Sequence, residues 1–161
     1  MFKLTKDTLP VFKMFKFKNL KSFDARDGVA YTCELFFQNK KIADVENQGD
    51  GGMTYIDYAN GGEELLNSLG IPQYFDKDEE LGFDVDNEYI ISDLVEVAIF
   101  IKDAVKRQSK AIVFTKDDKI MEIKLKATVS QYETAGKMNL LTDKVKDLEG
   151  KGFVVLNTNI G

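Results

Sequence analysis

The chain has 161 residues, a net charge of −5, 43% hydrophobic and 30% charged residues, the balance of a folded chain long enough to bury a substantial core. It contains no histidine and one cysteine, Cys33, which excludes imidazole ligation, histidine acid–base chemistry, Ser-His and Cys-His nucleophiles, and cysteine-rich zinc sites within one chain. Carboxylates, lysines and tyrosines remain, enough for magnesium-dependent or glycosidase-type chemistry but with no pair singled out.

In chain order, "VFKMFKFK" (Val11 to Lys18) mixes bulky apolar residues with lysines as an edge strand does. A nucleic-acid platform has the same look, but the overall acidity weighs against direct nucleic-acid contact. "GVAYTCELFF" (Gly28 to Phe37) predicts a strand with Val29, Tyr31, Cys33, Leu35 and Phe37 on one side. Gln38-Asn39 turns it into a second strand from Lys41 to Asn47, and Met53 to Tyr58 alternates again as a third strand of the meander. Gly62 to Leu69 predicts a short helix punctuated by Gly70 and Pro72. Ser92 stands as an N-cap for a helix reaching Arg107, with Leu94, Val97, Ala98, Ile101 and Val105 on one buried face. Ala111 to Thr115 and Lys119 to Lys126 form a second hairpin around Asp117-Asp118. Thr128 to Leu148 is read as one helix with Leu140, Leu141, Val145 and Leu148 as its stripe, and Phe153 to Leu156 as a closing strand. Strands in clusters separated by helices predict a single α+β domain over residues 1–161, an antiparallel sheet packed with two main helices.

Two stretches invite a functional reading. The first is "VENQGDGGMTY" (Val45 to Tyr55), where Gly49, Asp50, Gly51 and Gly52 could form an anion nest. No G-K-[ST] follows and the chain continues as a strand, so the loop reads first as a bend and only alternatively as a nucleotide or anion site. In that alternative it would work with the carboxylates Asp44, Glu46 and Asp50 as a small-ligand binder or carboxylate-based enzyme. The second is an acidic block. Residues 57–103 carry 2 basic and 13 acidic side chains, against 9 and 7 before them and 11 and 7 after them. Within it, Phe75, Asp76, Asp78, Glu79, Glu80, Phe83, Asp84, Asp86 and Glu88 alternate acids with apolar anchors. Counted from Asp76, an EF-hand would need glycine at Leu81 and glutamate at Asn87, so the calcium-loop motif fails there. What remains is a solvated loop, or a surface that meets a basic partner through complementary charge.

The segment "YTCELFFQNKKIADVENQGDGGMTYIDY", with "GFVVLNTNI" at the end, resembles small, mostly uncharacterised proteins of bacteriophages and mobile elements that share an N-x-G-x-G-G hairpin. The resemblance covers about half of the chain. It implies a class that includes inhibitors of host defence such as anti-CRISPR proteins, and it carries no functional residue with it. The expectation is therefore a non-enzymatic inhibitor without cofactor or metal in the cytoplasm of a bacterial host. It would dock its acidic block on a basic nucleic-acid-binding effector or nuclease, with no membrane contact. The apolar run Val97 to Ile101 is too short to span a bilayer, the N-terminal residues form no apolar h-region, and the lone Cys33 suits a reducing compartment.

Overall fold

The computed structural model describes residue 2 and residues 4–75, 85–116 and 119–161. The fold is α+β, with two antiparallel sheets and five α-helices among the described residues. The chain gathers into two compact units, one built on residues 11–99 with the N-terminal residues, the other on Leu4–Pro10 and Phe100–Gly161.

The first unit is a meander of β1 (Phe15–Ala25), β2 (Gly28–Phe37), β3 (Lys40–Asn47) and β4 (Tyr55–Tyr58), hydrogen-bonded in that order. The two-residue period of β2 buries Tyr31, Cys33 and Leu35 and leaves Thr32 exposed and Glu34 half-buried. Two bulges modify the ladder. One falls between Lys18 and Lys21 of β1, where Asn19 takes a φ of 53°. The other lies between Leu35 and Phe36, which face Ala43 and Lys41 and leave Ile42 unpaired. That extra residue lets the adjacent Ile42 and Ala43 both be buried, which strict alternation forbids. The Ile42 carbonyl accepts from the Ala59 amide at 2.8 Å. Helix α2 (Gly62–Ser68) approaches the same carbonyl so closely that a Cβ on Gly62 would lie 2.0 Å from its oxygen.

The strand expected from Val11 is delayed. Residues Leu9–Met14 form helix α1, with Pro10 in the first turn, where its missing N–H costs nothing. Phe12 on α1 stacks on Phe17 with ring centroids 5.6 Å apart. Helix α3 (Asn87–Val105) begins five residues before the expected cap at Ser92. Asp86 caps it instead, its Oδ1 accepting from the Tyr89 amide at 2.8 Å, while the Ser92 hydroxyl is used in a tertiary bond to Thr54. Nor is α3 buried on one face alone: Ile90, Ile91 and Val95 are buried along with Leu94, Val97 and Ala98.

In the second unit, β5 (Ala111–Lys116) is the central strand between β6 (Lys119–Lys124) and β7 (Val154–Val155). Its alternate residues enter two cores. Ala111 and Val113 pack with Ala104, Val154 and Leu156, and Ile112 and Phe114 with Leu148. The single helix expected from Thr128 is two, α4 (Val129–Thr134) and α5 (Met138–Gly150). Gly136, at a φ of 67°, ends the first, with the Lys137 amide donating to the Tyr132 carbonyl at 2.8 Å. Leu141 and Leu148 are buried and Val145 packs on the cluster of Leu148, whereas Leu140 is 54% exposed because it falls off the three-and-four spacing. Past the short β7, Asn157 continues the pairing with its side chain. Its Oδ1 accepts from the Val113 amide at 2.7 Å and its Nδ2 donates to the Ala111 carbonyl at 3.0 Å. No helix among the described residues is long and apolar enough to cross a membrane.

On α3, the Asp93 carboxylate is buried and accepts the Phe2 amide. Phe2 itself is buried against Phe12 and Phe75, with centroids at 5.7 and 5.8 Å. Burial pushes the Asp93 carboxyl above the usual carboxylate range, against the Phe2 bond, which pulls it down. Glu96, one turn on, is raised by partial desolvation and then by Asp93. An acid whose folded pKa exceeds its unfolded one destabilises the fold when ionised. The cost is absent below about pH 4 and is complete once pH has risen through the folded value. Asp93→Asn keeps the acceptor for Phe2 and removes the charge. Its stability relative to the wild type is therefore expected to improve as pH rises above about 4 and to level off once Asp93 is ionised in the folded state, measured by urea unfolding; a difference independent of pH would contradict the assignment.

Candidate functional site

Of the acidic-block residues, Asp76, Asp78, Glu79, Glu80, Phe83 and Asp84 lie outside the described residues. The other three have structural positions. Phe75 is buried, 5% exposed, in an edge-on contact with Phe2 and 5.6 Å from the Tyr89 ring, so it is a core residue and not the expected surface anchor. Asp86 is the α3 cap. Glu88 holds the Thr54 amide on its Oε1 at 2.9 Å.

In the glycine loop, the Asn47 Oδ1 accepts from the Gly49 amide at 2.8 Å and the Asp50 Oδ1 from the Gly52 amide at 2.9 Å. The chain's own side chains thus take amides that an anion nest would offer to a ligand, and Asp50 sets a carboxylate where the anion would go. Gly49 has a different task. At a φ of 70° it lies on the β1–β2 hairpin, where a Cβ would stand 2.6 Å from the Ala25 Cβ and 2.7 Å from the Ala30 nitrogen. Its carbonyl accepts from the Asp27 amide at 3.1 Å. These bonds favour the bend over the ligand site.

The outer face of the first sheet gathers side chains that the fold does not bury. Register aligns Lys18, Glu34, Asp44 and Asp57 in one row across β1 to β4, and Lys21, Thr32, Glu46 and Tyr55 in the next. The β2–β4 part of these rows, with Asn19, lines an open concavity of about 590 Å³. Lys41 bridges Glu34 at 3.1 Å and Asp44 at 2.9 Å. Hydrogen bonds from Asn19 and then Lys41 hold the Glu34 carboxyl below its usual range, and bonds to Asp44 and Glu34 raise the Lys41 ammonium. Asp44 and Asp57 stand directly opposite each other as like charges, an arrangement that costs a sheet stability. Glu46 and Asp57 form no salt bridge among the described residues. Beneath the face, burial pushes the Cys33 thiol up to about 12, with Asp44 and Glu34 adding to the shift, so it stays protonated as a core residue. Among the described residues no group of three or more acidic or cysteine side chains could hold a metal ion.

Sequence reasoning placed Asp44 and Glu46 only in the ligand-site alternative and passed over Glu34 and Asp57. The signal was available in strand parity: these acids alternate with the buried Cys33, Leu35 and Val45 and the half-buried Ile56. No protein-family model matches the chain, and comparison with curated proteins and with solved structures gave no match.

If Gly49 serves close approach, Gly49→Ala should lower stability by about 3 kcal/mol, combining a left-handed backbone with a clash against fixed main chain. Gly51→Ala, where the nearest atom would be 3.9 Å away, should cost only about 1 kcal/mol. Chemical denaturation of the two variants checks the contrast, and equal losses would refute it.

Proposed function

We propose that the chain is a non-enzymatic binding protein that meets a basic, nucleic-acid-binding surface of another protein with its acidic side. In this reading it is an anti-CRISPR-like inhibitor encoded by a phage or mobile element, acting in the cytoplasm of a bacterial host. The observation that carries the reading is the like-charged row Glu34, Asp44 and Asp57 on an exposed sheet face, with Glu46 beside it. Among the described residues Lys41 bridges Glu34 and Asp44 and Lys18 stands beside Glu34, while Glu46 and Asp57 form no salt bridge. The Glu46 and Asp57 carboxylates, without an ion pair among the described residues and with Asp57 opposite Asp44, are explained by a partner that supplies the counter-charge, since complementary fields speed encounter and exclude wrong partners. Tyr55, 57% exposed in the adjoining row, adds aromatic contact area of the kind that anchors interfaces. The acidic residues 76–84, outside the described residues, enter this reading by their charge alone. The phage setting and the inhibitory role rest on the resemblance of the hairpin segment.

A competition assay tests this. Labelled guide RNA or DNA is bound to CRISPR effector nucleases, and the protein is titrated in at several salt concentrations. Wild-type protein should displace the nucleic acid with an affinity that falls as salt rises. E46K/D57K and D78K/E79K/E80K should each weaken displacement at least about tenfold, equivalent to about 1.4 kcal/mol. If both variants compete as well as wild type, or if wild type displaces nothing across the panel, the reading is wrong.

A further inference from the structure

The sheet of the second unit ends on β6, which pairs with β5 alone. The Leu125 amide donates to the Lys110 carbonyl at 3.0 Å and carries that ladder past the end of the strand. Hydrogen-bonded and non-hydrogen-bonded pairs alternate in an antiparallel ladder. Leu125, Ile123, Met121 and Lys119 therefore turn their amides and carbonyls toward β5, and Ile120, Glu122 and Lys124 turn theirs away from it. Among the described residues no main-chain bond outside the ladder reaches those three. The other edge of this sheet, β7, is two residues long and offers no such run. The two side-chain faces of β6 also differ. Ile123 and Leu125 pack on the core of Ile112 and Phe114, while Met121 on the same face is 44% exposed. On the opposite face, Glu122 bonds Arg107 at 3.1 Å, and Lys124 forms no salt bridge among the described residues. We propose that β6 pairs antiparallel with β6 of a second copy, about a two-fold axis normal to the sheet at Ile123, and joins the two three-stranded sheets into one.

The register follows from the order of residues along the edge. A two-fold normal to the sheet keeps each face continuous, so residues with free main-chain groups meet only residues of the same kind. Centring the pairing on Glu122 would set that carboxylate against its own copy, which costs stability. Centring it on Met121 would set Glu122 against Ile120 and leave Lys124 outside the contact. Centring it on Ile123 sets Glu122 opposite Lys124 of the second copy, and Lys124 opposite its Glu122. Each of these pairs exchanges both main-chain bonds, and each adds an opposite charge to the Arg107–Glu122 bridge. On the other face the same register lays Ile123 on Ile123 and Met121 on Leu125, so the exposed methionine is covered. Main-chain bonds, charge and apolar contact thus agree on one register. The contact is isologous, the commonest form of homodimer interface, and uses strand addition at a free edge. The inference is independent of the partner proposed above, because it uses no residue of the first sheet.

Sedimentation and disulfide capture of the full chain test it. One short strand per copy makes a weak contact, so wild type should be monomeric at about 1 μM and associate as a dimer toward about 1 mM. Lys124→Glu sets two acids against each other at both ends of the overlap and should raise the dissociation constant at least about tenfold. Adding Glu122→Lys to that variant restores opposite charges and should restore the dimer. Ile123→Cys brings two thiols into a non-hydrogen-bonded pair, about 4.5 Å apart at Cα and within disulfide reach. It should give a covalent dimer on mild oxidation at high protein concentration. Met121→Cys, which faces Leu125 of the second copy and not its own counterpart, should not. A wild-type protein that stays monomeric at about 1 mM overturns the proposal and leaves the edge to a strand of another protein. A dimer that Lys124→Glu does not weaken, or a double variant that melts as cooperatively as wild type yet stays monomeric, overturns it as well. Should a charge variant not fold, the two cysteine variants decide: cross-linking at Met121→Cys, or none at Ile123→Cys, contradicts the register.

Discussion

The first unit turns on Thr54, a residue only 5% exposed just after the glycine loop. Its amide donates to Glu88 on α3, and its hydroxyl bonds the Ser92 hydroxyl and accepts from the Asn47 Nδ2 at 3.0 Å, with the Tyr31 hydroxyl 3.4 Å away. One residue is thereby tied to the second strand, the end of the third and the first turns of α3. Burying that many polar atoms is tolerable only when all are bonded, and among the described residues no buried side-chain nitrogen or oxygen lacks a partner. Burial raises the Tyr31 phenol while its bonds to Ser92 and Thr54 pull the other way, so the hydroxyl remains a donor at neutral pH.

The consequence for the candidate face follows from register. Tyr55 begins β4 immediately after Thr54, and β4 is only four residues long. A slip of one residue would turn Tyr55 and Asp57 into the core and Ile56 and Tyr58 to solvent. The polar knot at Thr54 therefore sets which side chains the sheet presents. The glycine loop contributes by bringing the chain to that point, with Gly49 laid on the hairpin where no Cβ fits. The loop shapes the sheet, and the sheet carries the charge.

Much of the fold was legible from period and punctuation. The β2 alternation, the Gln38-Asn39 turn, α2 and the second hairpin's strands stand close to where the sequence puts them, because each is decided by neighbouring residues. The misreadings share a cause. Ser92 has the chemistry of a cap, but its hydroxyl is spent on Thr54, a partner 38 residues away. Ile42 and Ala43 share burial through a bulge that no alternation pattern announces. Phe75 looked like a surface anchor among acids until Phe2, from the far N-terminus, packed against it. For the site, linear charge density drew the eye to residues 75–88, whereas Glu34, Asp44 and Asp57 are dispersed in sequence and meet only through strand pairing.

The central claim is that the outer-face carboxylates without an ion pair among the described residues, Glu46 and Asp57, are not there for the stability of the sheet. Equilibrium unfolding of E46Q/D57N in denaturant addresses it most directly, since these two acids form no salt bridge among the described residues and Asp57 faces Asp44. Relief of like-charge repulsion predicts that the variant is at least as stable as wild type and up to about 1 kcal/mol more stable. A loss of more than about 1 kcal/mol would mean that the carboxylates hold the sheet together, and would contradict the account.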